Sequence, residues 1–201
     1  MNKIIITISR QYGSGGLLIA QELSKCLKVE YYDKNLLLIA AQKSGLRTEI
    51  LEQFDEKKHL ELLENLTGYI TCPENFALND TLFKIQSDII KTIAKKSSAI
   101  FVGRCADYIL RDMQNCVHIF IHANLQDRIK RISEKNKIDK DKALEQINII
   151  DKERSKYYNY YTSKTWKDVN SYDLSINSSI LGISNTAEII ISFSNKLKGC
   201  F

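Results

Sequence analysis

Three glycines and an arginine stand within seven residues near the start of the chain, in the run Ser9-Arg10-Gln11-Tyr12-Gly13-Ser14-Gly15-Gly16-Leu17. Glycines let a backbone fold so that successive N–H groups point inward. A following helix adds its unpaired N-terminal donors and the positive end of its dipole. Such a turn is a cradle for phosphate, although a glycine turn between a strand and a helix can also be purely structural. The run departs from the Gly-x-x-x-x-Gly-Lys-Ser/Thr pattern. With Gly15 on its second glycine, Arg10 falls on the first, Gly16 on the lysine and Leu17 on the hydroxyl that holds Mg²⁺. Ser14 carries the right hydroxyl at a shifted position.

Phosphoryl transfer asks for little covalent work from a protein. Positive charge must gather around the moving group, and two substrates must be held in line. The candidates are Arg10, Arg104, Arg128, Arg131 and Arg154. Arg104 follows Gly103 at the end of an apolar run, Ser98–Val102, where a strand would deliver it to the sheet edge. Over 124–135, Leu125, Ile129 and Ile132 form an apolar stripe with Arg128 and Arg131 beside it, and Asn124 is the expected N-cap. Over 139–161, Ala143, Leu144, Ile147, Ile150, Tyr157 and Tyr161 define an inner face, and Arg154 falls on it. A charge on an apolar face needs a partner. Asp151, one turn away, is one; a bound phosphate is the other.

The elements that must position these residues alternate. Strands are expected at Lys3–Ser9, Val29–Tyr32, Ser98–Val102, Val117–His122 and Tyr172–Ile176, from β-branched or apolar runs. Helices are expected from Leu17, from Asp33 to Gly45, over Glu49–Leu66 and Asp80–Lys96 around Pro73, over 124–135 and 139–161, and over 186–197. That alternation implies an α/β domain with a mainly parallel sheet and ligands at the carboxyl ends of its strands.

Composition narrows the rest. The chain has 201 residues, 44% apolar and 26% charged, enough for one domain with a sizeable core. No apolar run reaches membrane-helix length, and no signal peptide is evident, so a cytoplasmic protein is expected. Five cysteines without Cys-x-x-Cys spacing read as reduced thiols. The net charge is +5, and residues 124–170 hold twelve Lys/Arg against eight Asp/Glu. This excess suits an anionic ligand but is too mild to argue for nucleic acid. His118 and His122 read as structural, the tyrosines at 157–161 as a packed helix face, and Trp166 as either a base stack or core packing.

Ile8–Gly16, Tyr31-Tyr32-Asp33-Lys34 and Phe101-Val102-Gly103-Arg104-Cys105-Ala106-Asp107 together resemble the cytidylate kinase-like family, a divergent branch of the P-loop nucleoside monophosphate kinases. Tyr172–Asn177 is similar to its late strand. The resemblance spans nearly the whole chain. It implies an α/β, P-loop NTPase-type three-layer fold with a mainly parallel sheet, in one domain. A core (about 1–33, 97–123 and 170–201) would hold ATP. A helical NMP-binding insertion (about 34–96) would close over the acceptor, and a helical lid (about 124–169) would bring arginines to the transferring group.

The resemblance also implies roles. Arg10, Gly13, Ser14, Gly15, Gly16 and Leu17 would bind the ATP phosphates, and Asp33, Arg104 and Asp107 the acceptor. Asp33 can equally cap a helix. Arg10, Arg128, Arg131 and Arg154 would be catalytic. Mg²⁺ would accompany ATP as phosphoryl donor, with no protein ligand assigned beyond a possible Ser14. The partners implied are ATP and a nucleoside monophosphate, by resemblance CMP or dCMP, with no nucleic acid or membrane. Two other readings stand beside this one: a nucleotide-binding module that no longer catalyses, and a kinase for another small acceptor.

Overall fold

Ile4-Ile5-Ile6-Thr7-Ile8 lacks the polar–apolar alternation of a half-exposed strand, and all five residues are buried. A strand buried on both faces belongs in the middle of a parallel sheet. The computed structural model, which describes residues 3–33 and 76–198, puts it there. Strands β1 (Ile5–Arg10), β2 (Tyr31–Tyr32), β3 (Ala99–Val102), β4 (Cys116–His122) and β5 (Leu174–Asn177) form a five-stranded sheet in the order β2-β3-β1-β4-β5. Every pairing is parallel, with Ile5 opposite Ala99 on one side and Cys116 on the other.

Helices cover both faces, as the expected three-layer architecture requires. Helix α1 (Gly16–Leu27) buries Ile19, Ala20 and Leu23 against Ile4, Ile6 and Ile8. Helix α6 (Ser178–Lys198) packs on the same face through Ala187 and Ile190. On the opposite face, α2 (Phe76–Lys96) and the short α3 (Ala106–Ile109) bury Ile89, Ile90, Ala94 and Ala106 against Ile5 and Phe101. The remaining helices, α4 (Leu125–Asn136) and α5 (Lys140–Thr162), form an antiparallel pair over the sheet's carboxyl edge, joined through Ile129, Ile132, Ala143 and Ile147.

The boundaries refine the sequence reading by one to a few residues, except at two places. The expected helices at 33–45 and 49–66, the turn at Pro73 and most of the insertion lie outside the described residues. The closing helix starts at Ser178 rather than near residue 186, and it is kinked at Gly182, where φ is 73° and ψ −177°. Asn124 does occupy the N-cap of α4, but its side chain makes no capping bond and instead accepts from Asn177. Among the described residues no helix is long and apolar enough to cross a membrane.

Parallel topology sends every strand's following loop to one edge. There lie the glycine loop after β1, Asp33 after β2, Gly103-Arg104 after β3, Asn124 after β4 and Ser178 after β5. The Gly182 kink has a checkable consequence. Its backbone region is nearly glycine-only and excludes even asparagine, while a Cβ there would meet nothing within 4 Å. Gly182→Ala and Gly182→Asn should each cost about 1–3 kcal/mol in urea unfolding. A marked recovery with asparagine would contradict the kink geometry.

Candidate functional site

The glycine loop is built as a tight turn braced from outside. Ser14 closes it, its N–H and hydroxyl both donating to the Gln11 carbonyl at 3.3 and 2.9 Å. Gly13 and Gly15 take φ values of 78° and 82° that non-glycine residues rarely adopt. A Cβ on Gly13 would lie 3.0 Å from the Arg128 carbonyl oxygen, so the loop presses against α4. The Ser178 hydroxyl donates to the Ser14 carbonyl at 2.6 Å, tying in the start of α6. Helix α1 begins at Gly16, and its first amides lack intrahelical acceptors by construction.

The same geometry tests the metal expectation. The Ser14 hydroxyl is fully buried and turned toward Gln11. Leu17 packs its side chain on the core. Among the described residues no three His, Cys, Asp or Glu side chains are grouped to hold an ion. This donor set does not fit a resident metal, so Mg²⁺ is treated below as part of the nucleotide substrate.

The five arginines named from sequence all stand around this loop or beside one another. Arg128 is only 5% exposed. Its Nε donates to the Tyr12 carbonyl at 2.7 Å, and its Nη2 pairs with Asp151 at 2.6 Å. Expected beside an apolar stripe, Arg128 is instead a buried tie between loop and helices. Asp151 is therefore the partner of Arg128, not of Arg154 as the one-turn spacing allowed; its other oxygen accepts from the Tyr12 amide at 2.7 Å. Arg131 donates to the Gly13 carbonyl and lies alongside Gly15. Arg154 donates to the Arg10 carbonyl at 2.9 Å, with its guanidinium carbon 5.5 Å from the centre of the Tyr12 ring.

Arg10, Arg104 and Arg154 form a cluster of like charges. Arg10 is held well below the usual arginine pKa, first by burial and then by the fields of Arg154 and Arg104, which outweigh the opposing Asp33 and Asp151. Burial is the main cause that lowers Arg154 to about 10, with Arg104 and Arg128 adding to it against Asp151 and Tyr12. Arg104 reaches the cluster from a strained turn: Gly103, Arg104 and Cys105 have successive φ values of 77°, 62° and 54°. Left-handed backbone at consecutive non-glycine residues is costly and concentrates at functional sites. A concentration of positive charge is what a polyphosphate would neutralise.

Asp33 follows β2, near enough for its field to act on Arg10. Asp107 faces elsewhere. It is buried, accepting from the Tyr158 hydroxyl at 2.7 Å and, weakly, from Ser9 at 3.5 Å. Its geometry pins α5 to the sheet rather than presenting a carboxylate to an acceptor. His118 hydrogen-bonds Thr7 at 2.9 Å inside the sheet. Trp166 is buried, with its ring edge-on to Phe120 at 5.7 Å. Tyr161 stacks on Phe83 at 4.0 Å and Tyr157 meets it edge-on, so the tyrosine face of α5 packs against α2. Sequence reasoning missed Tyr12, whose amide, carbonyl and ring all serve the site. Its position inside the glycine run was the available signal.

Known proteins resemble the chain along most of its length. The sequence profile described as the cytidylate kinase-like family matches residues 5–180. A cytidylate kinase of Sulfurisphaera tokodaii is 26% identical over 96% of both chains. One of Staphylothermus marinus is 26% identical over 96% of this chain and 97% of that one. A crystal structure from Eubacterium ventriosum superimposes with a TM-score of 0.73 at 27% identity, covering 96% and 99%. Shikimate kinase from Acinetobacter baumannii shares the fold, with a TM-score of 0.51 at 12% identity over 98% and 96%.

Two outcomes follow from the site's buried charges. Asp151→Ala strands the Arg128 guanidinium and the Tyr12 amide, so it should cost about 3–5 kcal/mol in urea unfolding. Replacing the pair together, Arg128→Met with Asp151→Leu, removes the stranded charge although the Tyr12 amide and carbonyl lose these partners, so it should cost less than Asp151→Ala; equal losses would contradict a buried pair. Burial raises the Asp107 carboxyl above its ordinary pKa, against the lowering effect of the Tyr158 hydrogen bond. A raised folded pKa gives stability that is complete below the unfolded value, about 3.9, and is lost as pH rises through the folded one. Asp107→Asn keeps an acceptor for Tyr158 and should flatten that loss as pH rises above about 4. Parallel stability profiles for the two proteins would refute the assignment.

Proposed function

The chain belongs to the cytidylate kinase-like family of nucleotide kinases, and on that premise we propose that it transfers the γ-phosphoryl group of Mg²⁺–ATP to a nucleoside monophosphate, CMP or dCMP. The observation that carries this reading is the convergence of five arginines, from three separate stretches of chain, on one glycine loop. Arg10 and Arg104 come from strand ends, while Arg128, Arg131 and Arg154 come from the α4–α5 pair. A site that only bound a base would not need that density of cations. A site that stabilises charge spread over a transferring phosphoryl group does.

In this reading the amides of Gly15, Gly16 and Leu17 and the side chain of Arg10 hold the ATP phosphates. Arg104 and Asp33 orient the acceptor. Arg154, above the Tyr12 ring, and Arg131, beside Gly15, neutralise the transferring group. Arg128 acts on substrate indirectly, because its donors are engaged by Asp151 and the Tyr12 carbonyl. Residues 124–169 act as the lid and residues 34–96 as the acceptor-binding insertion. Mg²⁺ enters and leaves with the nucleotide. Work of this kind implies a cytoplasmic protein. The absence of the loop lysine and of a hydroxyl at Leu17 favours a second reading, a nucleotide-binding module without turnover.

A coupled assay of Mg²⁺–ATP with each nucleoside monophosphate separates these readings. Diphosphate product is expected, fastest with CMP or dCMP. Arg154→Ala and Arg104→Ala should each lower kcat by about 10²-fold or more. Tight ATP binding without diphosphate from any monophosphate would refute the kinase reading.

A further inference from the structure

Gly16 is the first residue of α1, and its backbone does not need glycine. Its φ is not in the left-handed region, and glycine within a helix is unfavourable by about 1 kcal/mol relative to alanine. Space explains it instead. A Cβ at Gly16 would lie 2.7 Å from Cβ and 2.9 Å from Cγ of Arg10, with Cδ next at 3.8 Å. A Cβ at Gly103 would overlap Nη1 of Arg10 and sit 2.9 Å from its Cζ. The three nearest atoms at each glycine all belong to Arg10. The arginine stem therefore runs across the start of α1, and its head rests against the turn after β3.

The position that Gly16 occupies is the one that carries lysine in the full phosphate-loop pattern, where that lysine reaches the β- and γ-phosphates. We propose that Arg10 supplies this charge from the end of β1, and that Gly16 and Gly103 are positioning residues that leave room for its side chain. The proposal rests on the kinase reading above for the chemistry, but its steric basis is independent. A lysine at 16 and the arginine at 10 claim one volume, so the site holds one cation or the other.

The test is a four-way comparison of the native protein, Arg10→Gly, Gly16→Lys and the double variant Arg10→Gly/Gly16→Lys, because alanine at 10 would keep the Cβ that lies 2.7 Å from a Cβ at 16. It reads kcat with Mg²⁺–ATP, ATP affinity by calorimetry and melting temperature. Each single change should lower kcat, Arg10→Gly by about 10²-fold. The double variant should recover about tenfold or more over Arg10→Gly, a coupling that independent sites do not show. Losses that simply multiply, in folded variants, would overturn the proposal. Should the lysine variants melt early, Gly16→Ala decides: it should impair the native protein yet be neutral in the Arg10→Gly background. An equal effect in both backgrounds would overturn the proposal. If the native protein phosphorylates no monophosphate, the kinase reading fails by itself. ATP affinity then carries the same comparison, with the same rescue expected and the same multiplicative loss overturning it.

Discussion

The carboxylate of Asp151 holds the site together. One oxygen accepts from the Tyr12 amide and the other pairs with Arg128, whose Nε reaches back to the Tyr12 carbonyl. A single buried ion pair thus joins the glycine loop to both helices over the sheet edge. Neither partner has water to fall back on, so the pair tolerates little displacement. Arg131 and Arg154 stand on the same two helices. Their donation to the Gly13 and Arg10 carbonyls presupposes the registration that Asp151 and Arg128 enforce.

That registration works against electrostatics. Arg10, Arg104 and Arg154 repel one another, and Arg104 stands on a turn of successive left-handed residues. The sheet, the aromatic packing of α5 on α2 and the Tyr158–Asp107 bond supply the stability that keeps this arrangement. A preformed cluster of positive charge is the arrangement that stabilises a phosphoryl transition state without reorganising when it forms. Strain and repulsion are concentrated at one sheet edge, whereas the remainder of the fold follows local rules closely.

The fold was legible because its signals are local. Unbroken β-branched runs marked buried parallel strands, and the stripe of Leu125, Ile129 and Ile132 marked α4. The kink at Gly182 was not legible, since one glycine in a helical pattern does not disclose its φ. At the site, the arginines were visible as residue types, but their partners were not. Asp151 is three residues from Arg154 and 23 from Arg128, and only the crossing of α4 with α5 selects the more distant one. Asp107 was carried over from a family motif, and its inward orientation depends on Tyr158, 51 residues away. Gly16 looked like a lost lysine. Only the path of the Arg10 side chain turns that loss into an exchange of one cation for another.

Membership in the cytidylate kinase-like family is consistent with this exchange. The family profile spans the glycine loop, the Gly103 turn and β5 alike. One charge at one place decides the chemistry: the Arg10 guanidinium, whose stem crosses the start of α1 and whose head rests against the turn after β3. The most direct measurement is a crystal structure with a non-hydrolysable ATP analogue and Mg²⁺. The β- and γ-phosphates are expected over Gly13–Gly16, with Arg10 within hydrogen-bonding distance of them and still lodged between Gly16 and Gly103. Phosphates bound away from the loop, or an Arg10 side chain turned from them, would contradict it.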